Sequence, residues 1–185
     1  MKSLAILRAR LGAFRDDLRG TVSIEAVIML PLLFWAYVAM LTYFDAYRQA
    51  SGAIKNSYTI GDMLSRETNA INNAYMNGAY NFLNFMSESS DNAKLRVTVV
   101  RWDATTQKMK RDWSKTRGGA VALTTLEVEN LRSRLPNLVD NERLIVVETW
   151  EHYVPPFAVG LAEQDLYNFV FTRPRFAPQL PWSDL

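Results

Sequence analysis

Residues 19–25 read Arg19-Gly20-Thr21-Val22-Ser23-Ile24-Glu25, and AVIMLPLLFWAYVAMLTYF follows from Ala26 to Phe44, closed by Asp45. Between Arg19 and Asp45 the only charge is Glu25, and the nineteen residues after it carry none. A helix needs about 20 apolar residues at about 1.5 Å each to cross roughly 30 Å of hydrocarbon, and Thr21 to Ile24 complete that length. The core helix of a soluble protein seldom stays uncharged for so long. The stretch predicts a transmembrane helix over 21–45, with Tyr43 and Phe44 where an interfacial aromatic belt falls.

The flanks orient it. Residues 1–20 carry Lys2, Arg8, Arg10, Arg15 and Arg19 against Asp16 and Asp17, whereas only Arg48 and Lys55 follow closely on the other side. The positive-inside rule puts the N-terminus in the cytoplasm and residues 46–185 outside, in a single-pass topology. A cleaved secretory signal fits poorly, because the apolar run is too long and no small-x-small site follows it. The whole chain of 185 residues has a formal charge of +2. Without the leader the remainder holds 16 basic and 17 acidic groups, so the bulk of the protein is not basic. There is no cysteine and one histidine, His152, which excludes disulfides, thiol nucleophiles and His/Cys metal clusters.

Glu25 is the informative residue. Ionisable groups in spans are costly and are functional suspects by default; the plain alternative is a carboxylate marking the water boundary. The run Arg19-Gly20-Thr21-Val22-Ser23-Ile24-Glu25 resembles the processing site of type IV pilin-like precursors. The resemblance implies a basic leader (1–20) cut after Gly20 by a prepilin peptidase, with Thr21 the new N-terminus and Glu25 fifth. It also implies that Glu25 pairs with an N-terminal amine, its own or a neighbour's, and so sets subunit register. Pairing a buried carboxylate with an ammonium relieves much of its desolvation penalty.

Pro31 follows Glu25 by six, as in the TadE/TadF-like pseudopilins of the tight-adherence (Tad/Flp) pilus system, which this region is similar to. Phe171-Thr172-Arg173-Pro174-Arg175-Phe176 and Asp62-Met63-Leu64-Ser65-Arg66 look like segments of those proteins too. One departure is Thr21, where other pilin branches often carry an aromatic. The family implies a minor subunit or assembly factor in the bacterial inner membrane, serving a pilus used in adhesion. Its partners would be the lipid bilayer, the peptidase, other pilin-like subunits and the assembly platform. Pro31 lacks a backbone donor and crowds the preceding turn, which predicts a helix kink over Val27–Pro31.

Beyond the span, helical spacing continues through Tyr47, Ile54 and Tyr58, and then through Ile71, Tyr75, Ala79, Phe82 and Met86. Gly52, Gly61 and Gly78 argue against one unbroken helix, and the asparagine-rich run 69–73 suits a break with a cap. Residues 46–90 therefore read as a helical stalk and 91–185 as an exported head. Leu95, Val97 and Val99 alternate like a half-buried strand, and Asp103–Gln107 reads as a turn before a return through Met109, Arg111 and Trp113. Thr124-x-x-Glu127 fits a capping box opening a helix from Leu126 to Leu135, stopped by Pro136. Leu144–Tyr153 and Leu166–Thr172 read as strands joined by a loop from Val154. The expected fold is α+β, a long N-terminal transmembrane and amphipathic helix packed on a small antiparallel sheet, as in a pilin.

No enzyme constellation emerges, and neither cofactor nor metal is expected. Ser and Asp are plentiful, but a triad needs a base and His152 stands alone on a strand, while Glu148 and Glu151 face opposite sides of a strand. Residues 94–117 hold eight basic residues against Asp103 and Asp112. Among them Arg96, Arg101, Lys108, Lys110, Arg111 and Lys115 are candidates for contact with an anionic ligand or an acidic subunit face. The plain alternative is a solvated hairpin whose charges discourage edge pairing. Nucleic acid is not an expected partner. The rival to the pseudopilin reading is a permanently anchored envelope protein that binds an anionic ligand through this hairpin. An exported enzyme is the weakest of the three.

Overall fold

The structure, a computed structural model, describes residues 12–13, 19–87 and 93–184. The greater part of the basic leader therefore lies outside the described residues. The dominant element is one helix, α1 (Arg19–Ser65), of 47 residues. It is continuous through Pro31, Gly52 and Gly61, so the glycines do not interrupt it. Gly61 faces the sheet: a Cβ there would meet Val170, Thr172 and Val147 at 3.7–3.9 Å, ordinary van der Waals distances.

A short connection leads to α2 (Asn73–Met86), whose N-cap Asn72 accepts from the Tyr75 backbone N–H. The break expected in the asparagine-rich run is present there. Four strands follow: β1 (Lys94–Asp103), β2 (Lys108–Arg117), β3 (Arg143–Tyr153) and β4 (Gln164–Thr172). They form one antiparallel sheet in the order β2-β1-β3-β4, two hairpins joined along β1 and β3. Between the hairpins lies α3 (Thr125–Asn130), opened by a full capping box between Thr124 and Glu127. It is shorter than the helix expected to Leu135. The chain tightens into a 3-10 turn at Arg132–Arg134, which positions Leu131 and Leu135 against the sheet.

The sheet is covered on both faces. One face meets the second half of α1, α2 and the C-terminal tail, burying Ile60, Leu64, Met76, Leu83, Leu95, Val97, Val99, Ile145 and Val147. The other carries a smaller cluster of Val100, Met109, Val128, Leu144 and Val146 under α3 and the 3-10 turn. Hence β1 is buried on both sides over Val97–Val100, not half-buried as its alternation implied. The tail closes the larger core. Ile71 donates to the Pro181 carbonyl and Ser183 donates back to Ile71, while Trp113 Nε1 donates to the Leu180 carbonyl at 2.7 Å. Residues 46–65, read above as stalk, lie directly on β3 and β4.

Candidate membrane and assembly site

Among the described residues, the first half of α1 is largely exposed. From Val22 to Ala36 the side chains are exposed, including Leu30, Leu32, Leu33, Phe34 and Trp35. The helix is long and apolar enough to cross a membrane, and its most apolar eighteen-residue window has no buried residue. Exposing this much apolar surface to water would be strongly unfavourable, at about 25 cal/mol per Å². A helix apolar all round calls for an apolar medium all round. Glu25 lies on this exposed segment, six residues before Pro31. Gly20 and Thr21 have helical backbone, so the candidate processing position sits in a helix.

The surroundings change at Thr42, which is fully buried. Its hydroxyl donates to the Val38 carbonyl at 2.9 Å, satisfying a polar group at the end of the apolar run. The Tyr153 hydroxyl, at the end of β3, is shared between the Thr42 carbonyl (3.3 Å) and Asp45 Oδ2 (3.4 Å). Burial and the neighbouring Asp45 carboxylate hold the Tyr153 phenol above its usual range. Farther along, Asn56 Nδ2 donates to both oxygens of Glu151 at 3.3 Å, and the Ser57 and Thr149 hydroxyls lie 2.6 Å apart. Burial raises the Glu151 pKa, opposed by hydrogen bonds from Ser87 and Asn56. The contact becomes apolar only at Ile60, Gly61 and Leu64. The head thus holds α1 through a polar seam near the span and a hydrophobic one farther out.

The basic hairpin residues do not converge. Arg96 makes a bidentate pair with Glu148, 2.6 Å on each side, and donates to the Val121 carbonyl at 2.9 Å. Glu148 is 1% exposed and also accepts from the Tyr167 hydroxyl at 2.7 Å. Arg101 pairs with Asp112, Lys110 with Asp103, and Lys115 with Asp184 while lying over the Trp182 ring. Arg111 donates to the Leu123 carbonyl. Lys108 lines a groove of about 540 Å³ with Met109, Lys110, Leu126 and Glu129. Five of the six cations are therefore engaged by groups of their own chain, and a charge count could not reveal that.

Two features were missed in the sequence. Tyr153 ties the head to the end of the apolar run of α1, and no local pattern marks it. The Arg96–Glu148 pair depends on strand register, which places the two directly opposite each other on β1 and β3. His152 lies between Asp165 (2.8 Å from Nδ1) and Glu163 (3.5 Å from Nε2), and these carboxylates raise its pKa. Among the described residues no group of three or more His, Asp or Glu could hold a metal ion. Comparisons with family models, curated proteins and solved structures return no match.

Proposed function

We propose that the chain is a membrane-inserted pseudopilin, a minor subunit or assembly factor of a Tad/Flp-type pilus, processed after Gly20 by a prepilin peptidase. The observation that carries this reading is the division of labour along one helix. α1 carries the candidate cleavage position in helical backbone, presents apolar side chains on every side from Val22 to Tyr37, and ends packed under a four-stranded antiparallel head. Such a subunit can sit in a bilayer before assembly and offer the same apolar helix to neighbours afterwards. The basic leader places the N-terminus on the cytoplasmic side of a bacterial inner membrane.

Glu25 supplies the register. An amine on Thr21 and the Glu25 carboxylate are four residues apart, one helical turn along the same face, about 6 Å in rise. Within a chain they can pair; between chains the same attraction favours one axial offset over others in a low-dielectric bundle. The anchored ligand-binding alternative loses its main support, because the hairpin cations are engaged internally. N-terminal sequencing of the membrane-extracted protein, with and without prepilin peptidase, separates the readings. A start at Thr21 only in the presence of the peptidase supports processing. A start at Met1 in both strains would overturn it.

A further inference from the structure

We infer that the β3–β4 loop, residues 154–163, is a second membrane contact that seats the head on the lipid surface beside α1. The inference rests on the reading of α1 as a membrane span and adds a partner for a different part of the chain.

The geometry starts at Tyr153. α1 runs antiparallel to β3: Gly61 lies by Val147, Ser57 by Thr149, Asn56 by Glu151, and Thr42 by Tyr153. The Tyr153 end of the sheet therefore faces the span, and the β1–β2 turn at 103–108 lies at the far end. Thr42 falls inside the charge-free run, which ends at Phe44. Tyr153 thus touches α1 about 3 Å, two residues of helical rise, inside the last apolar position. No stalk holds the head away from the bilayer.

The loop leaves this point. Tyr153 pairs with Gln164, so the ten-residue connection 154–163 leaves and re-enters the sheet at its membrane-facing end. Folded back on itself, a loop of that length reaches at most about 16 Å. Its first nine residues, Val154-Pro155-Pro156-Phe157-Ala158-Val159-Gly160-Leu161-Ala162, carry no charge, and Glu163 closes it. Val154 is 56% and Phe157 53% exposed, whereas Val159 turns inward and is buried. A surface loop of soluble protein is ordinarily polar; this one presents an aromatic and a branched aliphatic where the head meets the headgroup region. The acids that follow, Glu163 and Asp165, hold His152 between them, which limits their repulsion from anionic lipid. Two prolines restrict the loop, so little conformational freedom is lost on insertion. Shallow burial of such side chains is the usual mode of interfacial attachment.

The native chain has no cysteine, so single probes can be placed cleanly. The full-length protein carrying Phe157→Cys, Leu33→Cys or Thr106→Cys is labelled with an environment-sensitive fluorophore. Each variant is reconstituted into phosphatidylethanolamine/phosphatidylglycerol vesicles with and without brominated lipid. The expected result is strong quenching at Leu33, clear quenching at Phe157 and none at Thr106, in the far turn. Quenching at Leu33 with none at Phe157 would overturn the loop contact, leave the span intact and assign the loop to a protein neighbour. No quenching at Leu33 would overturn the span and, with it, this inference. Equal quenching at Phe157 and Thr106 would mean that the head lies on lipid without orientation, which also contradicts it.

Discussion

The two halves of α1 share one backbone and obey different rules. From Val22 to Leu41 nearly every side chain is apolar and exposed, without a preferred face. From Thr42 to Ser65 the buried positions are Thr42, Ala53, Ser57, Ile60, Gly61, Leu64 and Ser65, a one-sided stripe against the sheet, while Tyr47 and Tyr58 point outward. The first pattern suits a medium that is apolar in every direction; the second suits a boundary between core and water. Helix propensity alone distinguishes neither half. The surroundings assign each half its task, and the handover occurs within the turn from Thr42 to Asp45.

The comparison breaks most readily on buried charge. Arg96→Ala leaves Glu148 buried without its bidentate partner, and head stability should fall by about 3–5 kcal/mol in denaturant melts of the full chain in detergent. Glu25→Ala, on the exposed half, should leave the same melt unchanged and, on the proposed function, lower the yield of pili sheared from the cells. Equal loss of head stability from both variants would erase the distinction between the halves. Core packing gives the next largest contrast. Leu64→Ala should cost about 2–5 kcal/mol, whereas Leu33→Ala should stay within about 0.5 kcal/mol of the parent.

Smaller effects sharpen the boundary itself. Tyr153→Phe removes a shared hydrogen bond between head and helix. It should cost about 1 kcal/mol and speed amide exchange near Thr42, read by hydrogen–deuterium exchange. Glu151→Gln tests the polar seam through pH. Burial raises the Glu151 pKa in the folded head, so the folded state holds that proton more tightly than the unfolded chain does. The resulting stability is complete below the ordinary glutamate pKa and is lost as pH rises through the folded-state value. The glutamine variant should therefore melt higher than the parent at about pH 8 and lose that advantage near about pH 4.

Much of this architecture is written locally. The span is a composition signal, the capping box at Thr124 and Glu127 is a four-residue motif, and both hairpins follow from alternation and turn residues. What escaped depends on distance along the chain. Arg96 reads as an available cation until register sets it against Glu148, 52 residues away. Gly52 and Gly61 argue locally against one unbroken helix, yet α1 runs through both, with Gly61 packed on the sheet. The helix expected to reach Leu135 stops at Asn130, and the following 3-10 turn points Leu131 and Leu135 into the second core. Tyr153 lies 111 residues from Thr42, and no periodicity links them.

On the proposed reading, α1 passes from lipid to head within one turn at Thr42–Asp45. Single cysteines at Leu30, Leu41, Tyr47 and Ile54 in the cysteine-free chain, probed in intact spheroplasts with a membrane-impermeant maleimide, test it directly. Labelling is expected at Tyr47 and Ile54, both exposed on the outer face of the second half, and protection at Leu30 and Leu41. Labelling at Leu30 equal to that at Tyr47 would contradict it.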